Sequence, residues 1–291
     1  MATLQEIRRR IASVHNTRKI TKAMQMVATA KLRRAQQRIE ALRPYALSMI
    51  DMMQDLAMFA EDKRSYALLR EHAEVRTVAL VVFTGDRGLA GAFNANVVRK
   101  AVEAARQAGG EGRGVRWLVV GKKGIGTLRY RGYELAHTWT GLSDKPGYTD
   151  AAAIARLIIG LYTSEQVDLV HLIYNRFRSP LEQMVKDVVR LPIASEEYEY
   201  GKREAPVSYI YEPSAATIFE QLLPRYVEIA VYRALLESSA SEQGARMTAM
   251  RNASENADDM IDTLTLQLNR ARQAAITQQI LEVVAGAEAL G

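Results

Sequence analysis

Two glycine-rich segments each follow a short apolar run, and these are the places where the chain could cradle a phosphate. They are Gly85-Asp-Arg-Gly88-Leu-Ala-Gly91, after Val78-Ala-Leu-Val-Val-Phe83, and Gly121-Lys-Lys-Gly124-Ile-Gly126, after Trp117-Leu-Val-Val120. A dinucleotide fingerprint spaces its glycines two and then three residues apart: the first serves the turn, the second admits the pyrophosphate and the third packs helix on strand. The spacings here are three and three, then three and two. Neither segment ends in the Gly-Lys-Ser/Thr of a phosphate-binding loop. Asp86 and Arg87 could engage a phosphate, yet a tight strand-to-helix turn needs the same glycines for its own geometry. Elsewhere, catalytic chemistry finds no foothold. The chain has no cysteine, hence no thiol nucleophile and no disulfide. Its four histidines, His15, His72, His137 and His171, are far apart and lack metal-ligand spacing. The expectation is a protein with no catalytic residue, no cofactor and no metal.

The elements that carry these turns alternate between strand and helix. Val78–Phe83, Trp117–Val120, Tyr133–His137 and Asp168–Tyr174 are of strand type, with Met184–Leu191 and Val207–Tyr211 as further candidates. Helical stretches lie at 94–108, after Gly121 and at 149–161. This alternation predicts a parallel, helix-covered sheet with antiparallel additions late in the segment, a Rossmann-like α/β domain over 61–213. Residues 61–74 are charged, lack a clear period and are expected to form a linker.

Long helices flank that domain. From Ser214, a candidate N-cap, to Leu290 there is one proline, Pro224, and apolar or small residues recur at Ala253, Ala257, Met260 and Leu264. A single helix of this length would span about 115 Å, more than any interior of a domain this size, so it needs a partner. The partner is the N-terminal helix over 1–60, where Leu4, Ile7, Ile11 and Val14 repeat three, four, three. Its stripe is read as slipping through Ile20, Met24 and Val27, with Pro44 inside the helix. Antiparallel pairing with residue numbers summing to about 271 sets Ile7 against Leu264, Ile11 against Met260 and Val14 against Ala257. That register leaves 271–290 as a solo tip of small and apolar residues, a stretch that suits the cavity of another protein.

Charge supports the pairing. The chain carries a net +6, but residues 1–60 hold eleven Lys/Arg against four Asp/Glu, while residues 214–291 hold six against ten. Helices of opposite sign attract, and the surplus of positive charge calls for an acidic partner. It gathers in a Met-rich patch of Arg18, Lys19, Lys22, Met24 and Met26. No apolar run approaches the ~20 residues of a membrane span. Met1 leads directly into the first helix, without the pattern of a signal peptide.

Five stretches in order along the chain resemble the gamma subunit of bacterial F-type ATP synthase. They are Ile20-Thr-Lys-Ala-Met-Gln-Met-Val27, Asp86-Arg-Gly-Leu-Ala-Gly-Ala-Phe-Asn94, Leu222-Leu-Pro-Arg-Tyr226, Ala245-Arg-Met-Thr-Ala-Met250 and Asn269-Arg-Ala-Arg-Gln-Ala-Ala-Ile-Thr277. Two positions depart from that family: Gln279 stands where it usually has Glu, and Gly85 where it usually has Ser. The resemblance implies a non-catalytic rotor. Its terminal helices would form an antiparallel coiled coil inside a hexamer of alpha and beta subunits. Its central domain would sit beside the epsilon subunit on the membrane c-ring, peripheral to the cytoplasmic face of the cell membrane. Proton flow would turn ring and shaft together, and the shaft would drive ATP synthesis at the beta sites. Carried over by motif, Lys22, Met24 and Arg246 would lie at the contact with beta, and Arg272, Gln273 and Thr277 would hydrogen-bond a loop of the hexamer. The competing assignments are a basic coiled-coil nucleic-acid binder, which would need aromatic residues among the basic ones, and a nucleotide enzyme with helical arms.

Overall fold

The computed structural model describes residues 3–59, 65–179, 182–198, 211–212 and 214–288. In chain order the elements are α1 (Leu4–Ala57), β1 (Thr77–Phe83), α2 (Phe93–Gly110), β2 (Gly114–Val120), α3 (Lys122–Tyr130), β3 (Leu135–Trp139), α4 (Tyr148–Thr163), β4 (Leu169–Phe177), β5 (Gln183–Leu191), α5 (Ser195–Tyr198) and α6 (Ala215–Glu288). They form two compact units, Thr29–Arg246 and the pair Met1–Ala28 with Met247–Gly291. The strand expected at Val207–Tyr211 falls almost entirely outside the described residues.

The larger unit holds a five-stranded sheet in the order β3-β2-β1-β4-β5. β1 pairs in parallel with β2 and β4, and β2 with β3; among the described strands only β5 runs antiparallel, against β4. The fully apolar run of β1 is explained by burial on both faces. Val78, Leu80 and Val82 pack with Val97, Val98 and Ala101 of α2. Ala79, Val81 and Phe83 turn the other way, into a core shared with Met53 and Leu56 of α1, Ile154 and Ile158 of α4, and Phe219 and Leu223 of α6. The segment expected as a linker is partly packed: Leu68 and Leu69 are buried in that core, and Tyr66 meets Phe219 edge to face.

One buried carboxylate ties this segment to the sheet. Asp168, at the start of β4, meets His72 Nδ1 at 2.7 Å and accepts the N–H groups of Arg76 and Thr77 at 2.9 and 2.8 Å. The His72 ring stacks on Tyr162, with centroids 4.6 Å apart. Burial by itself would raise the Asp168 carboxyl, but the His72 bond and the two backbone N–H groups outweigh it and hold it below its ordinary value.

The smaller unit is the antiparallel coiled coil. Shielding recurs at Leu4, Ile7, Ile11, Val14, Arg18, Thr21, Gln25 and Ala28 on α1, and at Met250, Ser254, Ala257, Ile261, Leu264, Leu268, Ala271 and Ala275 on α6. Both series alternate threes and fours without interruption, the signature of a heptad seam. Two details therefore differ from the sequence pattern. The stripe on α1 does not slip: Ile20 and Val27 are 60% and 55% exposed, and the seam passes instead through Arg18, Thr21 and Gln25. The register differs by about one helical turn. Thr21 Oγ1 lies 2.7 Å from Ser254 Oγ, and Arg18 pairs with Asp258, so partner numbers sum to 275 or 276. Met260 is 52% exposed and Ile261 takes the seam position. Carried along the heptads, this register sets Ile11 against Leu264 and Ile7 against Leu268.

Ser214 caps α6 as expected, its Oγ accepting the N–H of Thr217 at 3.2 Å. Beyond the seam, every residue from 276 to 285 is exposed; Ala271 and Ala275 are half-buried, so the bare stretch starts later than expected.

Two measurements check these assignments. A Thr21→Cys/Ser254→Cys pair is expected to form a disulfide on oxidation, since bridging needs Cα atoms within ~7 Å. An Ile11→Cys/Met260→Cys pair should not, and the reverse outcome would refute the register. Asp168→Asn is expected to lower stability at neutral pH by about 1.5–3 kcal/mol, the worth of hydrogen bonds to a charged group. Because folding depresses this carboxyl, its contribution is present at neutral pH and fades as pH falls through the folded-state value. Thermal melts of parent and variant should therefore converge in acid.

Candidate functional site

In α/β sheets of this kind ligands bind at the carboxyl ends of the strands, so that edge is the first place to look. At the ends of β1, β2 and β3 it is filled by the chain's own groups, while a cavity of about 450 Å³ lies beside Arg176–Arg178 at the end of β4. After β1, Thr84 Oγ1 donates to the Val120 carbonyl at 2.7 Å and accepts the Gly124 N–H at 2.9 Å. A Cβ on Gly121, whose φ is +97°, would lie 2.1 Å from the Thr84 carbonyl oxygen, and one on Gly124 would lie 2.5 Å from Thr84 Oγ1. The second glycine-rich segment thus packs strand turn against helix, and most of it is the first turns of α3.

Asp86 occupies the place a phosphate would take. Its carboxylate accepts the Lys122 N–H at the start of α3 (3.1 Å), the Gly141 N–H (2.9 Å) and the Ser143 hydroxyl (3.1 Å). The Lys123 N–H is spent on the Gly85 carbonyl at 3.1 Å. Among the described residues no His, Asp or Glu cluster is arranged to hold a metal.

α6 closes the same edge. Residues 234–246 are buried without a break, although they include Glu237, Ser238, Ser239, Ser241, Glu242, Gln243 and Arg246. The serines donate to carbonyls along this edge: Ser239 to Ser143 in the loop after β3 at 2.7 Å, and Ser241 to Asn175 within β4 at 3.1 Å. Arg246 is 7% exposed and donates to Glu242 Oε1 at 2.6 Å and to the Gly88 carbonyl at 3.2 Å. It is engaged inside its own unit.

The other residues singled out from sequence lie on the coil. Lys22 is exposed and Met24 half-buried. A groove of about 750 Å³ runs here between α1 and α6, lined by Arg18, Lys19, Lys22, Met26, Arg251 and Asp258 among others. Arg18 and Arg251 have carboxylate partners in Asp258 and Glu255. Arg272, Gln273 and Thr277 are all exposed, the Thr277 hydroxyl turned back to the Gln273 carbonyl at 3.0 Å. Around and past Thr277, Ile276, Ile280, Leu281, Val283 and Val284 are 45–72% exposed on a stretch of helix with no shielded face. No described helix is long and apolar enough to cross a membrane.

A family model described as ATP synthase matches residues 3–290. The chain is 45% identical over its whole length to the ATP synthase gamma chain of Rubrobacter xylanophilus, of which it covers 99%. It is 46% identical to that of Desulforamulus reducens, end to end on both sides. The chain belongs to the ATP synthase gamma-chain family. The fold agrees with this placement: the central stalk of the Tetrahymena thermophila mitochondrial ATP synthase matches with a TM-score of 0.58 at 31% identity, over 81% of this chain and 99% of that one. A rotor chain of the Euglena gracilis enzyme matches with a TM-score of 0.65 at 19% identity, over 94% of this chain and 98% of that one, and speaks to the fold alone.

For a gamma chain, the two features that spacing did not reveal are the plug at the strand ends and the polar coil seam. The signal for the first was Ser238-Ser239-Ala240-Ser241, a small-residue run that allows close backbone approach. For the second it was Thr21 and Ser254, two small hydroxyls at heptad spacing from apolar neighbours.

Asp86→Ala would remove the acceptor shared by the start of α3 (Lys122) and the loop after β3 (Gly141, Ser143). Water can reach the exposed donors, so the expected loss is about 1 kcal/mol in urea denaturation. Isothermal titration of the parent with Mg-ATP should show no micromolar binding, because Asp86 already takes the helix N-terminus. Unchanged stability in the variant would mean that these loops are held by something else.

Proposed function

We propose that this gamma chain is the turning shaft of a proton-translocating ATP synthase and is itself non-catalytic. The observation that carries this is the bare helix end: ten consecutive exposed residues, rich in Ile, Leu and Val, on a single helix. Free in water such a surface invites aggregation. Seated in an apolar sleeve it forms a bearing, whose contacts change little as it turns. We assign that sleeve to the alpha–beta hexamer. The Tetrahymena relative comes from an assembly described as central stalk and c-ring. We carry that membership over, placing the α/β unit against the membrane c-ring and the epsilon subunit, peripheral to the cytoplasmic membrane face.

The division of labour follows the three segments 1–60, 61–213 and 214–291. The sheet domain receives torque from the ring, and the coil carries it. The asymmetric shaft then biases the three beta sites in turn and so links proton flow to ATP synthesis. Lys22 and Met24, beside the basic groove, face acidic loops of beta. Arg272, Gln273 and Thr277, exposed where the seam ends, offer directional hydrogen bonds to the hexamer. The role of Arg246 at beta is indirect, through the turn it holds. The plugged strand ends support a non-catalytic chain, since the usual ligand crevice of the fold is occupied.

Cross-linking separates a rotor from a static scaffold. The chain has no native cysteine, so labels are clean. Oxidising Thr21→Cys/Ser254→Cys in the assembled complex is expected to leave most ATP hydrolysis intact, because both cysteines turn together. A disulfide from Ala285→Cys to the inner wall of the hexamer is expected to slow turnover, with recovery on reduction. Loss of hydrolysis from the internal link alone, with assembly intact, would count against the shaft role.

A further inference from the structure

The glycine at position 85 has a specific neighbour. A Cβ built there would lie 2.8 Å from Glu242 Cδ and 2.9 Å from each carboxylate oxygen. Real Cβ atoms do not approach that closely, so the carboxylate occupies the volume that a side chain at 85 would need. Glu242 is 1% exposed, deep in the buried stretch of α6. Its Oε1 is held by Arg246, whose Nη2 also reaches the Gly88 carbonyl in the turn after β1. Below the turn, Ala90 packs with Phe93 and Ala245. Above it, Arg87 and Leu89 face outward; Leu89 is 63% exposed and held at a φ of 60°, a left-handed conformation that a leucine rarely adopts.

We propose that Glu242 is a positioning residue: acting through Arg246, it clamps the turn 84–91 to α6, and Gly85 is glycine to admit the carboxylate. The turn then moves as one body with the helix, and its outward Arg87 and Leu89 keep a fixed bearing on α6. The charges around the clamp are Arg246 on the same helix, Asp86 and Arg87 in the turn, Asp144 before α4, and Lys31 of α1, which bonds Asp144 at 2.7 Å. Burial pushes the Glu242 carboxyl above its ordinary value, with Asp144 adding to the push, while Arg246 opposes it. A buried ion pair of this kind contributes less to net stability than to geometry, since removing either partner strands the other charge. The backbone supports the turn independently: Thr84 N–H bonds the Val120 carbonyl at 2.8 Å and Gly85 N–H bonds Asn94 Oδ1 at 2.8 Å. Loss of the clamp should therefore loosen the turn without unfolding the sheet. A consequence for coupling rests on the shaft role proposed above; the geometry of the clamp does not.

Spin labels at Leu89→Cys and Gln221→Cys, both exposed, report the distance between turn and helix in the full chain. Glu242→Gln is expected to broaden the distance distribution, and Gly85→Ala, which pushes the carboxylate from the other side, should do the same. The double variant should broaden it no further than the stronger single, because both act on one contact. Ser239→Ala removes a hydrogen bond nearby and should leave the width unchanged. An unchanged width in both Glu242→Gln and Gly85→Ala overturns the proposal, and so does equal broadening by Ser239→Ala. In the assembled complex, Glu242→Gln is expected to lower ATP-driven proton pumping per ATP hydrolysed while hydrolysis continues. Broadening with unchanged pumping would reject the coupling role of the turn and leave the shaft role to the cross-linking test.

Discussion

A single helix of 74 residues cannot keep one environment along its length, and the rest of the structure follows from how α6 changes its surroundings. From 234 to 246 it is buried on every side; from 250 to 275 it is shielded along one seam; from 276 to 285 it is shielded nowhere. The side chains change in step. Where backbone approaches close to strand ends, the residues are Ser and Ala. Where one helix is the only neighbour, Ile261, Leu264 and Leu268 form a stripe three or four residues apart. Where there is no neighbour among the described residues, apolar residues point in all directions. Hydrophobic burial is roughly proportional to area removed from water, so this last stretch gains its stabilisation only inside a partner.

The coil is held in register by polar atoms at its seam. Apolar heptads slide past one another by whole turns at modest cost, because Leu against Ile resembles Leu against Val. A hydroxyl pair does not slide so cheaply: moving Thr21 one turn away from Ser254 gives up the bond between them and leaves each only the carbonyl of its own helix, Arg18 for Thr21 and Met250 for Ser254. Ion pairing of Arg18 with Asp258 points to the same alignment. These groups contribute little net stability and much specificity, the role best attested for polar residues in coiled-coil seams.

Much of this was legible in the chain itself, for reasons that differ by element. β1 announced itself by a continuous apolar run, since both its faces are covered. The N-cap of α6 was legible because Ser214 needs nothing beyond the next turn. The register was not: the apolar stripe Ala253, Ala257, Met260, Leu264 is as regular as the true seam, and Met260 is as hydrophobic as Ile261. Only the identity of the facing residue chooses between them, and that is a long-range fact. The same holds at the strand ends. The glycines of both turns could be recognised as turn-forming, but their close neighbours, Thr84 for Gly121 and Glu242 for Gly85, come from elsewhere in the chain. Arg246 was singled out by motif as a contact with another subunit, yet its own unit engages it first, because Glu242 lies one turn before it on the same helix.

The filled strand ends explain how a fold that so often binds small molecules can serve transmission instead. A crevice at the carboxyl edge of a parallel sheet is available only while the loops there stand apart. Here Asp86 draws three of them together through hydrogen bonds to Lys122, Gly141 and Ser143, and α6 lies across the gap with serines bonded to the carbonyls beneath. Each such bond is worth little net, but at the buried Ser241–Asn175 contact the alternative is an unpaired polar group, which costs more. The plug is therefore self-consistent: opening it for a ligand would break these bonds at once and leave the Asn175 carbonyl without its serine. Such a joint resists being twisted apart, because rotating α6 against the sheet would break these bonds together. Residues 234–246 of α6 and the sheet beneath them therefore move as one body.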